Sequence, residues 1–219
     1  CSLYERGHGF VPWDGPTNAP ILWMGEGPGY DEAAIGRPFV GAAGSMLERI
    51  LRRNHLQRGQ FRIGNVLQCV PPGLSLEGET YQYTAIDHCR VHREKFLSQG
   101  YPQVVLAAGG TALRTLLGLH GMDRIRVEEF HGTVHDDPEG RFKVVPSFHP
   151  SYLQRGAHNL IGTVSFDLQL ALEVARGQCQ PQPLELIIDP PVEWRRAWVE
   201  QLEAAARQDP EGIAIACDT

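Results

Sequence analysis

The chain has 219 residues, of which 42% are hydrophobic and 21% are charged, a composition typical of a globular protein with a full core. Its formal net charge of −6 argues against nucleic-acid binding through a generally basic surface and leaves only a local basic groove for such a partner. No apolar run approaches the length of a membrane span, and five widely spaced cysteines favour a cytoplasmic protein with free or ligand thiols over a disulfide scaffold.

Short apolar runs alternate with segments of helical periodicity along most of the chain. The predicted strands are 21–24, 61–67, 103–109 and 142–148, and the predicted helices are 45–54, 84–99, 111–118 and 159–176. This order predicts an α/β fold in which an open, largely parallel sheet carries helices on both faces. Ligands bind at the carboxyl ends of the strands in such sheets, and each unusual motif of the chain follows one of these strands.

A Gln/Pro-rich segment at 176–183 marks a predicted domain boundary. We assign residues 1–177 to the first domain. Residues 178–219 then contain a linker and the beginning of a second domain, in which a strand, a helix and a further strand are predicted before the chain ends at Asp218-Thr219.

The stretch GEGPGYDEAAIGRPFVGAAG, at 25–44, places six glycines directly after the first predicted strand. It lacks the Lys-Ser/Thr pair of a phosphate-binding loop. It also does not open directly into a helix as a dinucleotide fingerprint does, because Pro28 and Pro38 intervene. We therefore expect no nucleotide cofactor. From spacing alone, a glycine-rich loop that packs on the sheet edge remains an alternative to a ligand-binding loop.

Three motifs follow one another along the chain: the glycine-rich stretch at 25–44, NVLQCVPPG at 65–73 and HPSYLQR at 149–155. In this order they resemble the motifs of family 4 uracil-DNA glycosylases. The resemblance covers about residues 1–177 and implies an α/β/α sandwich around a short, largely parallel sheet. It also implies a monomeric, monofunctional DNA glycosylase of base excision repair. Such an enzyme flips uracil out of single- or double-stranded DNA and hydrolyses the N-glycosidic bond, leaving an abasic site.

The resemblance implies three catalytic residues. Glu26 would position or activate water against the positive charge that develops on the sugar, and Glu32 would share this work. His149 would donate a hydrogen bond to the negative charge that develops on uracil near O2. The alternatives are a solvated loop acid for Glu32 and, for His149, an ordinary polar residue with satisfied hydrogen bonds.

The resemblance also implies that Gly27, Phe39 and Asn65 bind uracil. Phe39 would stack on the ring, although ordinary core packing explains most buried Phe side chains. Asn65 would accept from N3–H and donate to O4, a pattern that cytosine does not match. The alternative for Asn65 is a hydrogen bond to local backbone at the end of a strand.

Contacts to the DNA backbone are predicted for Gly41, Gly44 and Ser45, which lead into a helix whose N-terminus suits a phosphate oxygen. Arg155 in the third motif is a further predicted phosphate contact. The side chains predicted to wedge into the space that the base leaves are Tyr152 and Leu153.

Cys1, Cys69 and Cys89 match the family's iron–sulfur cysteines and would bind a structural [4Fe–4S] cluster. The resemblance places the fourth cysteine ligand just upstream of residue 1. Three buried free thiols, or a zinc site, are the alternatives. The loop between Cys69 and Cys89 lacks the inserted Lys-Arg-Arg-Ile-His segment of a related group that crosslinks to its product, so hydrolytic turnover is expected.

The segment IAIACDT at 213–219 resembles the first metal-binding strand of the 3′–5′ exonuclease domain of family A DNA polymerases. This resemblance predicts a longer protein in which the glycosylase domain is fused to a polymerase or exonuclease. The alternative function follows from it: a catalytically weak module that binds DNA or uracil for the attached polymerase.

Overall fold

The computed structural model describes residues 9–74, 76–119 and 125–178, together with residue 200. Cys1 and Asp218 lie outside the described residues. Of the predicted second domain the structure describes only Gln178 and Glu200, so the domain boundary stays a prediction. The helices and strands of the described ranges are, in chain order, β1 (Ile21–Gly25), α1 (Tyr30–Ile35), α2 (Ala42–Arg53), β2 (Arg62–Asn65), α3 (Gln82–Leu97), β3 (Val104–Ala108), α4 (Gly110–Leu116), β4 (His135–Asp136), β5 (Lys143–Ser147), α5 (Pro150–Gln154) and α6 (Ile161–Ala175).

The strands form one sheet in the order β2-β1-β3-β5-β4. The first four in this order are parallel, and the short β4 pairs antiparallel with β5 at the edge. The predicted largely parallel sheet is therefore confirmed. The two-residue β4 was not predicted, because two residues carry no readable periodicity.

The sheet is covered on both faces, as parallel sheets usually are. Leu22 and Met24 of β1 point into a hydrophobic cluster with α3 and α4. Ile21 and Trp23 alternate with them and point into a second cluster with α2 and α6. Successive side chains of a strand point to opposite faces, so a strand that is buried throughout is buried by two helical layers. The α/β/α sandwich is confirmed.

The strand order creates a crevice between β1 and β3. The chain passes from β1 to β2 on one side of the sheet centre and returns to β3 on the other side, and ligand sites form at such switch points. Residue Gly25 at the end of β1 is in register with Asn65 at the end of β2, and Ala108 with Ser147 at the ends of β3 and β5. The loops that carry the predicted motifs therefore leave the sheet at a common edge.

Two short helices at this edge were not predicted. In α1 the N-terminal turn is stabilised by Glu32, whose side chain accepts from the backbone N–H of Gly29. In α5 Pro150 occupies the first helical position, where its fixed φ favours a helix. Within the described ranges, none of the helices has the length and apolar character needed to cross a membrane.

Candidate active site

A cleft of about 600 Å³ opens at the carboxyl edge of the sheet. Its walls come from the loops that follow β1, β2, β3 and β5, so segments that are distant in sequence share one space. The predicted site residues that line it are Glu26, Gly27, Glu32, Phe39, Gly41, Asn65, His149 and Arg155. Two further predicted DNA contacts, Gly44 and Ser45, lie in the first turn of α2, and the predicted ligands Cys69 and Cys89 are not part of the cleft wall.

Three side chains of the predicted site converge on Gly25, the last residue of β1. A Cβ atom at this position would lie 2.6 Å from Asn65 Oδ1, 2.7 Å from Phe39 Cζ and 3.0 Å from His149 Nε2. Glycine is required here because any side chain would collide with these groups. The fold thus gathers an amide, an aromatic ring and an imidazole around one small space.

Asn65 presents an unsatisfied acceptor to this space. The residue is 4% exposed, and its Oδ1 atom has no hydrogen-bond partner among the described residues. Its backbone carbonyl accepts from Trp13 Nε1 at 3.0 Å and from Gln68 Nε2 at 2.9 Å, which holds the main chain in place. Leaving a buried acceptor unpaired costs about 1–3 kcal/mol, so this atom indicates a ligand that donates to it.

His149 presents a neutral imidazole with a defined tautomer. Its Nδ1 atom accepts from the backbone N–H of Ser151 at 3.2 Å and lies 2.8 Å from the Ser151 hydroxyl. Because Nδ1 is the acceptor, the ring proton sits on Nε2, the nitrogen nearest to Gly25. Burial lowers the pKa of His149 from 6.5 to about 4, and the charge of Arg155 acts in the same direction. The ring is therefore a neutral donor at physiological pH.

Phe39 combines a core position with a place in the cleft wall. It is 4% exposed and belongs to the hydrophobic cluster on the α2 and α6 face. Its ring centre lies 5.6 Å from that of His149. The backbone φ of 52° is a left-handed conformation, which is strained for a bulky residue and is often found at functional sites. Core packing and contact with a ligand are thus both compatible with its position.

Glu26 is the partly buried carboxylate of the cleft. Its Oε2 atom lies 2.6 Å from the Thr111 hydroxyl, which donates to it. Burial raises the pKa of Glu26, and the charge of Glu77 also raises it. The Thr111 hydrogen bond and the charges of Arg114 and Arg155 lower it. Glu26 therefore has one oxygen held in place and is a suitable proton acceptor.

Glu32 has both carboxylate oxygens engaged by backbone amides. Its Oε2 atom accepts from Gly29 at 3.0 Å, and its Oε1 atom accepts from Val40 at 3.1 Å and from Gly41 at 3.0 Å. The residue is 8% exposed. These contacts join the start of α1 to the start of α2, and they favour a positioning role over the expected catalytic one.

The predicted phosphate-binding glycines have different environments. A Cβ atom on Gly44 would lie only 2.1 Å from the backbone carbonyl oxygen of Phe39, so Gly44 allows close packing. Gly41 is the N-cap of α2, and its N–H already donates to Glu32. Ala42 and Ala43, whose N–H groups have no partner within a helix, follow it and line the cleft.

The third motif contributes an exposed rim to the cleft. Arg155 is exposed and lines the cleft, and its charge acts on both His149 and Glu26. Tyr152 is 44% exposed and lines the same rim. Leu153 is fully buried in the core, so the prediction that it wedges into DNA is wrong. Successive helical positions point in different directions, so this helix buries Leu153 in the core and leaves the adjacent Tyr152 exposed.

Cys69 and Cys89 are buried free thiols in the same hydrophobic cluster. Burial raises the pKa of both thiols, and electrostatic repulsion from Cys89 raises the pKa of Cys69 further. Two thiols that share one apolar environment are compatible with a thiolate-bound iron–sulfur group, and Cys1, the third predicted ligand, lies outside the described residues. In those ranges there is no cluster of three or more His, Cys, Asp or Glu side chains that could hold a metal ion.

Sequence reasoning missed three residues that hold the site together. Thr111 follows Gly109-Gly110, and this turn was the only sequence signal for it. Ser151 is part of the third motif but was assigned no role. Arg58, which donates to the backbone carbonyl oxygen of Phe39, had no recognisable sequence signal because a hydrogen bond to a main-chain oxygen requires no particular partner residue.

Fold and site together define an α/β/α protein whose cleft brings together an unpaired amide oxygen, an aromatic ring and an imidazole, with the carboxylate of Glu26 in the same cleft wall. The family model described as the uracil DNA glycosylase superfamily matches residues 12–169, and the chain therefore belongs to this superfamily.

The chain is also similar in sequence to type-4 uracil-DNA glycosylases. The chain is 33% identical to the type-4 uracil-DNA glycosylase of Thermotoga maritima over 159 residues, 73% of this chain and 79% of that protein. It is 29% identical to the type-4 enzyme of Archaeoglobus fulgidus over 153 residues, 69% of this chain and 75% of that protein. The type-4 enzyme of Sulfurisphaera tokodaii is also 29% identical, over 69% of this chain and 68% of that protein.

Proposed function

We propose that the chain is a monofunctional uracil-DNA glycosylase of type 4, which flips uracil out of DNA and hydrolyses its N-glycosidic bond. The observation that carries this proposal is the convergence of Asn65 Oδ1, Phe39 Cζ and His149 Nε2 on Gly25. An acceptor, an aromatic ring and a neutral donor around one small space complement the groups that uracil presents.

Uracil recognition depends on the Asn65 amide. The unpaired Oδ1 atom accepts from uracil N3–H, and the amide NH₂ donates to O4. Cytosine offers an acceptor at N3 and an amino donor at C4, so both hydrogen bonds are lost for it. A site with a buried polar group discriminates strongly against a base that leaves this group unpaired.

Bond cleavage sends an electron pair from the C1′–N1 bond to uracil. His149 donates from Nε2 to O2, where the negative charge accumulates, and a fixed donor stabilises this state more than the ground state. Glu26 orients water toward C1′ and accepts its proton while the new C1′–O bond forms. The negative carboxylate also stabilises the cationic sugar. In this scheme Glu32 positions the loops and takes no proton.

The DNA backbone is held at the rim of the same cleft. Arg155 and the N-terminal amides of α2, at Ala42 and Ala43, supply positive charge and N–H donors to phosphate oxygens. Such contacts fix the position of the flipped nucleotide without reading the sequence.

A [4Fe–4S] cluster held by Cys1, Cys69 and Cys89 and a fourth upstream cysteine would cross-link the chain structurally and take no part in the chemistry. Cys69 and Cys89 supply two thiols, and their place in one buried cluster supports this assignment. We also propose that residues 178–219 begin an exonuclease-like domain of a polymerase fusion.

A gel assay tests the proposed activity. The protein is incubated with an end-labelled oligonucleotide that carries one uracil, beside a thymine control, and abasic sites are cleaved with hot alkali. Breakage at uracil alone is expected. A Glu26→Gln chain that is purified in parallel controls for contaminating glycosylase. Intact strands from iron-loaded protein would overturn the proposal and favour the DNA-binding module.

A further inference from the structure

Thr111 connects the two strands that flank the switch point of the sheet. It lies in the first turn of α4, directly after β3, and is 3% exposed. Gly109, with a φ of 94°, makes the turn from β3 into this helix. Glu26 follows β1, the neighbouring strand. A hydrogen bond between two residues 85 positions apart therefore spans the crevice in which the cleft lies.

The hydroxyl of Thr111 selects one oxygen of the Glu26 carboxylate. The Oγ1–Oε2 distance is 2.6 Å, which is short for a hydrogen bond and typical of a hydroxyl that donates to a charged acceptor. With Oε2 held, Oε1 is left to accept from water. The hydrogen bond also restricts the rotation of the Glu26 side chain, so the free oxygen keeps a constant direction.

We propose that Thr111 is a positioning residue of the glycosylase reaction, which holds Glu26 ionised and aims its Oε1 atom at the attacking water. This inference rests on the proposed function. Thr111 acts through Glu26 and is assigned no contact with uracil.

The surroundings of Glu26 explain why such a donor is needed. Burial and Glu77 favour the protonated carboxyl, which cannot accept a proton from water. Arg114 and Arg155 oppose them, but Arg114 is itself paired with Glu77 at 3.3 Å. The other ionisable side chains that line the cleft are Tyr30, Asp31, Glu32, Glu128, His149 and Tyr152. A hydroxyl donor to the carboxylate is therefore a direct means of keeping Glu26 charged.

The test compares Thr111→Val, Thr111→Ser and Thr115→Val in single-turnover uracil release between pH 4 and pH 9. Thr115 is the matched control, because its hydroxyl also makes one hydrogen bond on α4, to the backbone oxygen of Thr111 at 2.8 Å. We expect Thr111→Val to lower the rate about 10-fold to 100-fold and to move the acidic limb of the profile upward by about one pH unit. Thr111→Ser and Thr115→Val should resemble the wild type.

A double-mutant cycle separates positioning from structural damage. Thr111→Val is introduced into Glu26→Gln, and it should cost little further rate because the carboxylate is already absent. An equal loss in both backgrounds, or a loss at all pH values with an unmoved acidic limb, would overturn the inference. If the wild type itself releases no uracil, the proposed function fails, and this outcome is distinct from a Thr111→Val enzyme that behaves like the wild type.

Discussion

Arg58 donates a hydrogen bond of 2.8 Å from Nη1 to the backbone carbonyl oxygen of Phe39. Its Nη2 atom donates to the preceding carbonyl, that of Pro38, and also contacts Asp14. The left-handed backbone of Phe39 is unfavourable for a bulky residue, so these hydrogen bonds stabilise a conformation that the segment would not adopt alone.

Replacing Arg58 with Ala should weaken uracil binding through Phe39. Loss of two hydrogen bonds to the main chain frees the ring from its place beside His149, and we expect KM for uracil-containing DNA to rise about 10-fold with a smaller change in kcat. Steady-state kinetics measure this, with Arg53→Ala as control because Arg53 is exposed on α2. Equal values of KM for the two variants would exclude the role of Arg58.

Replacing Asn65 with Asp should relax the discrimination against cytosine. A carboxylate accepts from the cytosine amino group but cannot donate to uracil O4, so we expect uracil release to fall about 100-fold and cytosine release to become detectable. The alkali-gel assay with one uracil or one cytosine measures both rates. Cytosine release that stays undetectable, with uracil release unchanged, would remove Asn65 from recognition.

Replacing Glu26 with Gln should slow hydrolysis without weakening DNA binding. The amide cannot accept a proton from water, and we expect a fall of about 10²–10⁴ in the single-turnover rate. Fluorescence anisotropy should give an unchanged Kd for uracil-containing DNA. Glu128→Gln is the control, because Glu128 is an exposed acid that also lines the cleft. A normal rate in the Glu26 variant would disprove its role.

Folding stability should fall as the pH drops from about 6.5 toward 4, in part through His149. Burial lowers the pKa of this residue in the folded state from 6.5 to about 4. The unfolded chain therefore binds the proton first, and protonation favours unfolding across this window. Urea denaturation at pH 7 and pH 5 measures the change. The loss should be smaller in His149→Gln, and a loss of the same size in both proteins would contradict the assignment.

Replacing Cys69 or Cys89 with Ser should remove the iron. Each variant lacks one thiolate of a cluster that requires four, so we expect the bound iron and sulfide per chain to drop to background, together with the visible absorbance. Cys179→Ser is the control, because Cys179 was assigned to the linker and not to the cluster. Iron retained by the Cys69 and Cys89 variants would favour buried free thiols.

The sequence identified the three motifs but not the role of every residue in them. Phe39 and Asn65 were singled out, and the fold brings both to Gly25. Glu32 was predicted as a second catalytic acid, and its three backbone donors were not predicted, because they come from segments whose approach no sequence pattern encodes. Leu153 was predicted to wedge into DNA, and the structure buries it instead, because the packing neighbours of a short helix decide which of its sides is buried.

The alternation of buried strands and helices determined the α/β/α fold, because each strand and each helix has its own local pattern of apolar residues. The sequence also determined that the glycine-rich and polar motifs follow the strands. Only the tertiary structure decided which distant atoms meet: Thr111 with Glu26 across the crevice, and Asn65, Phe39 and His149 around Gly25. Hydrogen bonds depend on distances of a few tenths of an ångström between distant segments, and these distances exist only once the sheet has aligned its strand ends.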